Sequence, residues 1–137
     1  MAAFNKYQTA VEKLTENANI GSDTWRIILS NTAPDAATDT NQASAAELTT
    51  SGGYTVNGNT CAVTSSTQTG GVQKLILASP ATWTGSGGGF TYRYAILWNQ
   101  TIDALFGYWD YGASQTVAAG ETLNVNLDGT NGVFTVA

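Results

Sequence analysis

Apolar and polar positions are most densely patterned between Phe90 and Tyr111, FTYRYAILWNQTIDALFGYWDY, which predicts two strands joined by a turn at Asn99-Gln100-Thr101. Strand side chains alternate with period two, so Tyr92, Tyr94, Ile96 and Trp98 share one face of the first strand, and Arg93, Ala95 and Leu97 the other. The second strand, Ala104 to Tyr111, sets Leu105, Gly107, Trp109 and Tyr111 against Phe106, Tyr108 and Asp110. Apolar residues on both faces mark a central pair covered on both sides.

The rest of the chain arranges itself around this pair. Phe4, Tyr7, Val11, Leu14 and Ala18 recur at spacings of three and four, which predicts one helix over 3–19, ended near Gly21. Residues 1–21 thus form an amino-terminal helix that either caps the β-structure or reaches a neighbouring subunit as an arm. Trp25 to Ser30 reads as a short strand. Residues 35–53, DAATDTNQASAAELTTSGG, form a polar linker with at most one helical turn near Ala45 to Leu48. It suits an extended arm lying on another protein, or a solvated loop.

Short strands follow over Tyr54 to Asn57, Cys61 to Gln68, Val72 to Ala78, Ala81 to Thr84, Glu121 to Leu127 and Val133 to Ala137. The Asn57-Gly58 step favours a hairpin between the first two. In 121–127, Leu123, Val125 and Leu127 face one way and Thr122, Asn124 and Asn126 the other; 112–120 is expected to be a connector. The pattern predicts an all-β, jelly-roll-like β-sandwich of about eight to ten short strands with one amino-terminal helix. A single domain, 1–137, has its main sandwich in 54–137 together with strand 25–30.

Composition agrees. The 137 residues are 42% hydrophobic, but only 11% are charged, against roughly 25% in an average soluble domain. Thr, Ser, Asn and Gln must therefore supply the polar surface, as suits half-exposed pleated strands. The net charge is −5, and Lys6, Lys13, Arg26, Lys74 and Arg93 form no cluster. Without a basic patch there is no footprint for nucleic acid, so no nucleic-acid partner is expected. No membrane-length apolar run and no basic-then-apolar leader is visible, so no membrane partner and synthesis in a cytosol are expected. Cys61 stands alone and reads as a small packed residue in a strand.

Candidate chemistry is thin. The chain has no histidine, which removes Ser-His-Asp and Cys-His constellations and the usual zinc sites. Carboxylate-only hydrolysis would call on Asp103, Asp110 and Glu121. Asp110 lies between Trp109 and Tyr111, but Arg93 on the adjacent predicted strand offers it a structural pair. Gly85 to Gly89 lacks the Gly-Lys-Ser/Thr ending of a phosphate loop, and Asp128 to Gly132 lacks the distal glutamate of a calcium loop. No cofactor, no metal and no enzymatic activity are expected. Trp83, Tyr92, Tyr94, Trp98, Tyr108 and Trp109 either pack the core or present a sugar-stacking platform beside Asn99 and Gln100.

The segments FNKYQTAVEKL, GSDTWRIILSNTAP, FTYRYAILWN, GYWDYG and GETLNVNLDGTNGVFTVA resemble small virion proteins of tailed bacteriophages. The resemblance spans nearly the whole chain; it is strongest in RYAILWN and WDYG and least distinctive over 35–53. It implies a jelly-roll or related sandwich acting as a cement or decoration protein on the capsid exterior, made in the host bacterial cytoplasm. Its partners would be the major capsid protein and itself, with homodimers across a local two-fold favoured over homotrimers. Phe4, Tyr7 and Val11, with the 35–53 linker, are then the candidate partner contacts. The alternative is a tail or tail-fibre component with a carbohydrate-binding face.

Overall fold

The structure is a computed structural model and describes residues 2–137. Ten strands and one α-helix are assigned among the described residues: β1 (Phe4–Lys6), α1 (Thr9–Glu16), β2 (Trp25–Ser30), β3 (Asn59–Cys61), β4 (Val63–Thr69), β5 (Val72–Leu77), β6 (Trp83–Thr84), β7 (Phe90–Asn99), β8 (Ala104–Val117), β9 (Thr122–Leu123) and β10 (Phe134–Val136). A five-stranded antiparallel sheet has the order β1-β8-β7-β2-β3, and a three-stranded sheet the order β10-β5-β4. A two-stranded ribbon, β6-β9, completes an all-β, sandwich-like fold.

The central pair is β7 and β8, and β7 occupies the middle of the large sheet. Its registers define two apolar faces. Ile27, Leu29, Ala95, Leu97 and Trp109 lie on one, together with Trp25 and Phe4. Phe134 of β10 reaches this face, 6.0 Å from the Trp25 ring and 6.4 Å from Phe4, so the small sheet packs there. The register slips between Leu97/Gly107 and Trp98/Leu105, leaving Phe106 as an extra residue. That bulge brings Phe106 edge-on to Trp25, with ring centroids 4.8 Å apart.

Ile28, Ile96, Trp98 and Leu105 lie on the opposite face, all buried. Burying each such side chain stabilises the fold by roughly 1.5–3 kcal/mol, provided that something covers them. The cover is not a sheet but the segment 36–58. It is bonded to the helix junction (Gln8 N–H to Ala36 O), to β8 (Leu105 N–H to Thr40 O) and to β2 (Leu48 N–H to Leu29 O). The 35–53 stretch is therefore bonded down on the sheet rather than extended away from it, with its outer residues exposed. It holds a 3-10 turn, Gln42–Ser44, capped reciprocally by Asn41 and Ser44, and buries Ala45.

Glu47 fastens this layer. Its carboxylate accepts hydrogen bonds from the Tyr54 hydroxyl (2.5 Å), the Asn57 amide (2.6 Å) and Gln42 Nε2 (2.7 Å). The Tyr54 hydroxyl in turn accepts from the buried Leu29 amide at 3.0 Å. Arg26 donates to the carbonyls of Asn57 and Gly58 at 2.7 and 2.9 Å. Asn57 and Gly58 take positive φ, 78° and 59°, but the turn they make leads into β3 rather than joining two paired strands, so the expected 54–57 strand is absent.

Other expectations shift for identifiable reasons. The helix spans only Thr9–Glu16, because Phe4 is drawn into a strand beside β8, where its ring fills the space above Gly107. A Cβ on Gly107 would sit 2.0 Å from Phe4 Cζ, so tertiary fit overrides the helical spacing. The 61–68 strand divides at Ala62, with β3 in the large sheet and β4 in the small one. β8 runs on to Val117 through the expected connector. In 121–127 only Thr122–Leu123 is paired, although Leu123, Val125 and Leu127 are buried and the intervening residues exposed.

Tyr54→Phe is expected to lower unfolding free energy by about 1–3 kcal/mol, because it leaves the Leu29 amide buried without an acceptor. Urea unfolding measures this, and an unchanged midpoint would contradict the fastening role of Tyr54.

Candidate interaction surface

Each carboxylate proposed for chemistry has a structural partner. Arg93 and Asp110 are brought together: Arg93 Nε donates to Asp110 Oδ1 at 2.8 Å and Nη2 to Oδ2 at 3.1 Å. Pairing passes from Tyr92↔Gln115 to Tyr94↔Asp110, so residues 111–114 stand opposite Arg93 alone. Asp110 Oδ1 also accepts from the Gly112 amide at 2.8 Å, and Gly112 has φ 86°. The pair therefore pins a wide bulge in β8. The Arg93 guanidinium, and then the Gly112 amide, hold the Asp110 carboxyl below its usual range, and Asp110 raises Arg93 in return.

Asp103 accepts from Trp98 Nε1 at 2.9 Å and from the Gln42 amide at 3.1 Å, joining the β7–β8 turn to the covering segment. Glu121 accepts from the Ala118 amide at 2.9 Å and closes the β8–β9 turn. Asp128 accepts from the Thr130 and Asn131 amides, both at 2.8 Å, and is held below its usual range by them. Its loop is a turn before β10. Cys61 is buried in β3, and burial pushes its thiol up to about 12.

The sugar-stacking platform is not formed. Trp83, Tyr92, Tyr94, Trp98 and Trp109 are all buried, and Tyr108 is half-buried between Tyr7 and Tyr94. Asn99 is buried too, donating to Asp23 at 2.8 Å. These rings belong to the core, and none offers a face to a ligand.

What the molecule does present is an apolar cleft where α1 meets the outer strands of both sheets. Phe4 and Lys6 of β1, Val11 and Leu14 of α1, and Phe134 and Val136 of β10 line a cavity of about 330 Å³. Phe106 and Phe134 stack at its floor with centroids 5.9 Å apart. α1 turns Ala10 inward and leaves Val11 51% exposed, the most exposed large apolar residue among those described. β1 and β10 are edge strands of their sheets, so unpaired backbone groups border the same corner. Lys6 is the one charged side chain in the lining.

The three candidate partner contacts separate here. Val11 is open, and Phe4 lines the cleft with its ring partly covered. Tyr7 is 0% exposed, packed edge-on to Tyr108 at 5.4 Å, and cannot meet a partner. Burial first, and the nearby Asp39 second, raise its phenol above the ordinary value. The helical spacing that grouped Tyr7 with Val11 failed because Tyr7 precedes α1, on the stretch leaving β1.

No family model matches the chain, and the searches found neither a similar curated protein nor a similar solved structure.

Asp35, Asp110 and Asp128 are all held below the ordinary carboxylate value by hydrogen bonds. Their stabilisation is present above the unfolded value of 3.8 and disappears as pH falls through the lower folded values. Thermal stability is expected to be level from neutrality down towards that value and to decline below it. Asp110→Asn should lower stability at neutral pH and flatten part of that decline. A variant as stable as the parent at every pH would contradict the bulge-pinning role.

Proposed function

We propose that this protein is a bacteriophage capsid cement or decoration protein that binds the outer capsid surface and bridges neighbouring major capsid proteins. The observation that carries this reading is the open apolar corner formed by Phe4, Val11 and Phe134 at two sheet edges. Such a corner suits attachment to another protein by apolar burial and strand-edge hydrogen bonding. The rest of the molecule fits a passive role: its aromatics are in the core, and the carboxylates Asp103, Asp110 and Glu121 each hold a turn or a bulge. The sequence resemblance to small virion proteins of tailed phages supports the same reading.

A cement protein works by adding contact area across subunit boundaries. A copy that touches two shell subunits gains from the high effective concentration of the second contact once the first is made. Copies paired across a local two-fold would double that gain, so a homodimer on the shell is favoured over a homotrimer. Low charge density, 11% of residues, keeps self-repulsion weak when many copies crowd a surface. The buried positions of Trp83 and Trp98 give no support to a carbohydrate-binding tail component.

A reconstruction of the virion tests the reading: regular copies on the shell, with the α1–β10 corner against capsid protein, are expected. Val11→Glu should weaken attachment to isolated shells by at least about tenfold, as burying an unpaired carboxylate would, while thermal stability stays within a few degrees of the parent's. A protein confined to the tail, or undiminished attachment of the variant, would overturn it.

A further inference from the structure

The chain contains two Asn-Gly steps, Asn57-Gly58 and Asn131-Gly132. Asparagine is a chemically labile side chain, and a following glycine, lacking Cβ, leaves its own nitrogen unhindered for attack on the asparagine amide. The two steps are alike in sequence but differently held.

Asn57 is gripped from several elements. Its amide donates to Glu47, its Oδ1 accepts from Gln42 Nε2, and Arg26 of β2 binds the carbonyls of both Asn57 and Gly58. Gly58 is buried against β2, where a Cβ would lie 1.8 Å from Ile27 O. Turning the Asn57 side chain onto the Gly58 nitrogen requires the guanidinium to release the peptide unit.

Asn131 is exposed, and its bonds run to a single neighbour in the same turn. Its amide N–H and its Nδ2 both donate to the Asp128 carboxylate, at 2.8 and 3.0 Å, and the Gly132 amide donates to Asp128 O at a long 3.2 Å. No other element clamps its side chain, although Gly132 (φ 80°) packs against β5, where a Cβ would lie 2.4 Å from Leu75 O, and Lys74 Nζ donates to Thr130 O at 3.1 Å.

We propose that Asn131 is a site of spontaneous deamidation in the folded protein and that the Arg26 clamp protects Asn57. The Gly132 nitrogen loses its proton and bonds to Asn131 Cγ. The Cγ–Nδ2 bond breaks, and the amide nitrogen leaves as ammonia, taking up a proton. Water then opens the five-membered imide at either carbonyl, giving aspartate or isoaspartate. Nothing is oxidised or reduced, and water is the one co-reactant. Neighbouring Asp128-Gly129 does not compete, because the Asp128 carboxylate is held ionised by the Thr130 and Asn131 amides and is a poor electrophile.

The consequence falls on β10. The product places a second carboxylate where Nδ2 had donated to Asp128, and isoaspartate adds a backbone carbon before Gly132, one residue ahead of Val133, whose amide bonds to Leu75 O at 2.9 Å. Both changes loosen the strand that lines the apolar cleft.

The test incubates the full-length folded protein at neutral pH in ¹⁸O-water and follows fragments containing residues 57 and 131 by mass. A urea-unfolded sample supplies the unprotected rate of each site. In the folded protein Asn131 is expected to convert at least about tenfold faster than Asn57, the ratio that follows if release by Arg26 costs one charged hydrogen bond. Arg26→Gln should accelerate Asn57 and leave Asn131 unchanged; should that variant unfold, the parent's folded-to-unfolded ratios at the two sites decide. Equal rates in the folded parent, faster conversion of Asn57, or no conversion of Asn131 while the unfolded chain converts at both sites would each overturn the proposal.

Discussion

A sheet that is apolar on both faces needs a cover on each, and among the described residues one other sheet is large enough to serve. The β10-β5-β4 layer takes the Trp25–Leu97–Trp109 face. The Ile28–Ile96 face is left to an irregular segment, 36–58, whose backbone cannot satisfy itself by a ladder. Side chains do that work instead: Glu47, Tyr54, Arg26 and Asn41 supply the bonds that strands would otherwise make. A polar, low-complexity stretch thus becomes part of the core's wall.

This constraint also determines which apolar surface stays open. The segment 36–58 is bonded down onto the sheet and Tyr7 is buried, so of the expected outward-facing residues Tyr7 is committed to the protein's own packing, whereas Val11 stays open. The open apolar corner lies elsewhere, where α1 closes the end of the sandwich and β1 and β10 leave their outer edges unpaired. The bulge pinned by Arg93 and Asp110 interrupts the β7–β8 ladder opposite Arg93.

The central pair was legible in the sequence because its pattern is strong: ten consecutive residues of β7 alternate between two apolar faces, and Arg93 and Asp110 fall on neighbouring strands. Fold class followed from the same local signals. What was not legible depends on distant groups. Nothing near Phe4 announces that Gly107, about a hundred residues on and lacking a Cβ, leaves space for its ring. Glu47 is one acidic residue in a polar run until Tyr54, Asn57 and Gln42 converge on it. The helical period of Phe4, Tyr7 and Val11 was real, yet a three-residue strand and a buried junction used the same spacing for different ends.

Amide hydrogen exchange across 36–58 distinguishes a structural layer from a surface arm, since the two differ there by orders of magnitude in protection. The Leu48, Leu105 and Leu29 amides, bonded respectively to Leu29 O, Thr40 O and the Tyr54 hydroxyl, are expected to exchange together with the rest of strand β2. Exchange of the Leu48 amide at the rate of an unstructured peptide, with β2 still protected, would contradict it.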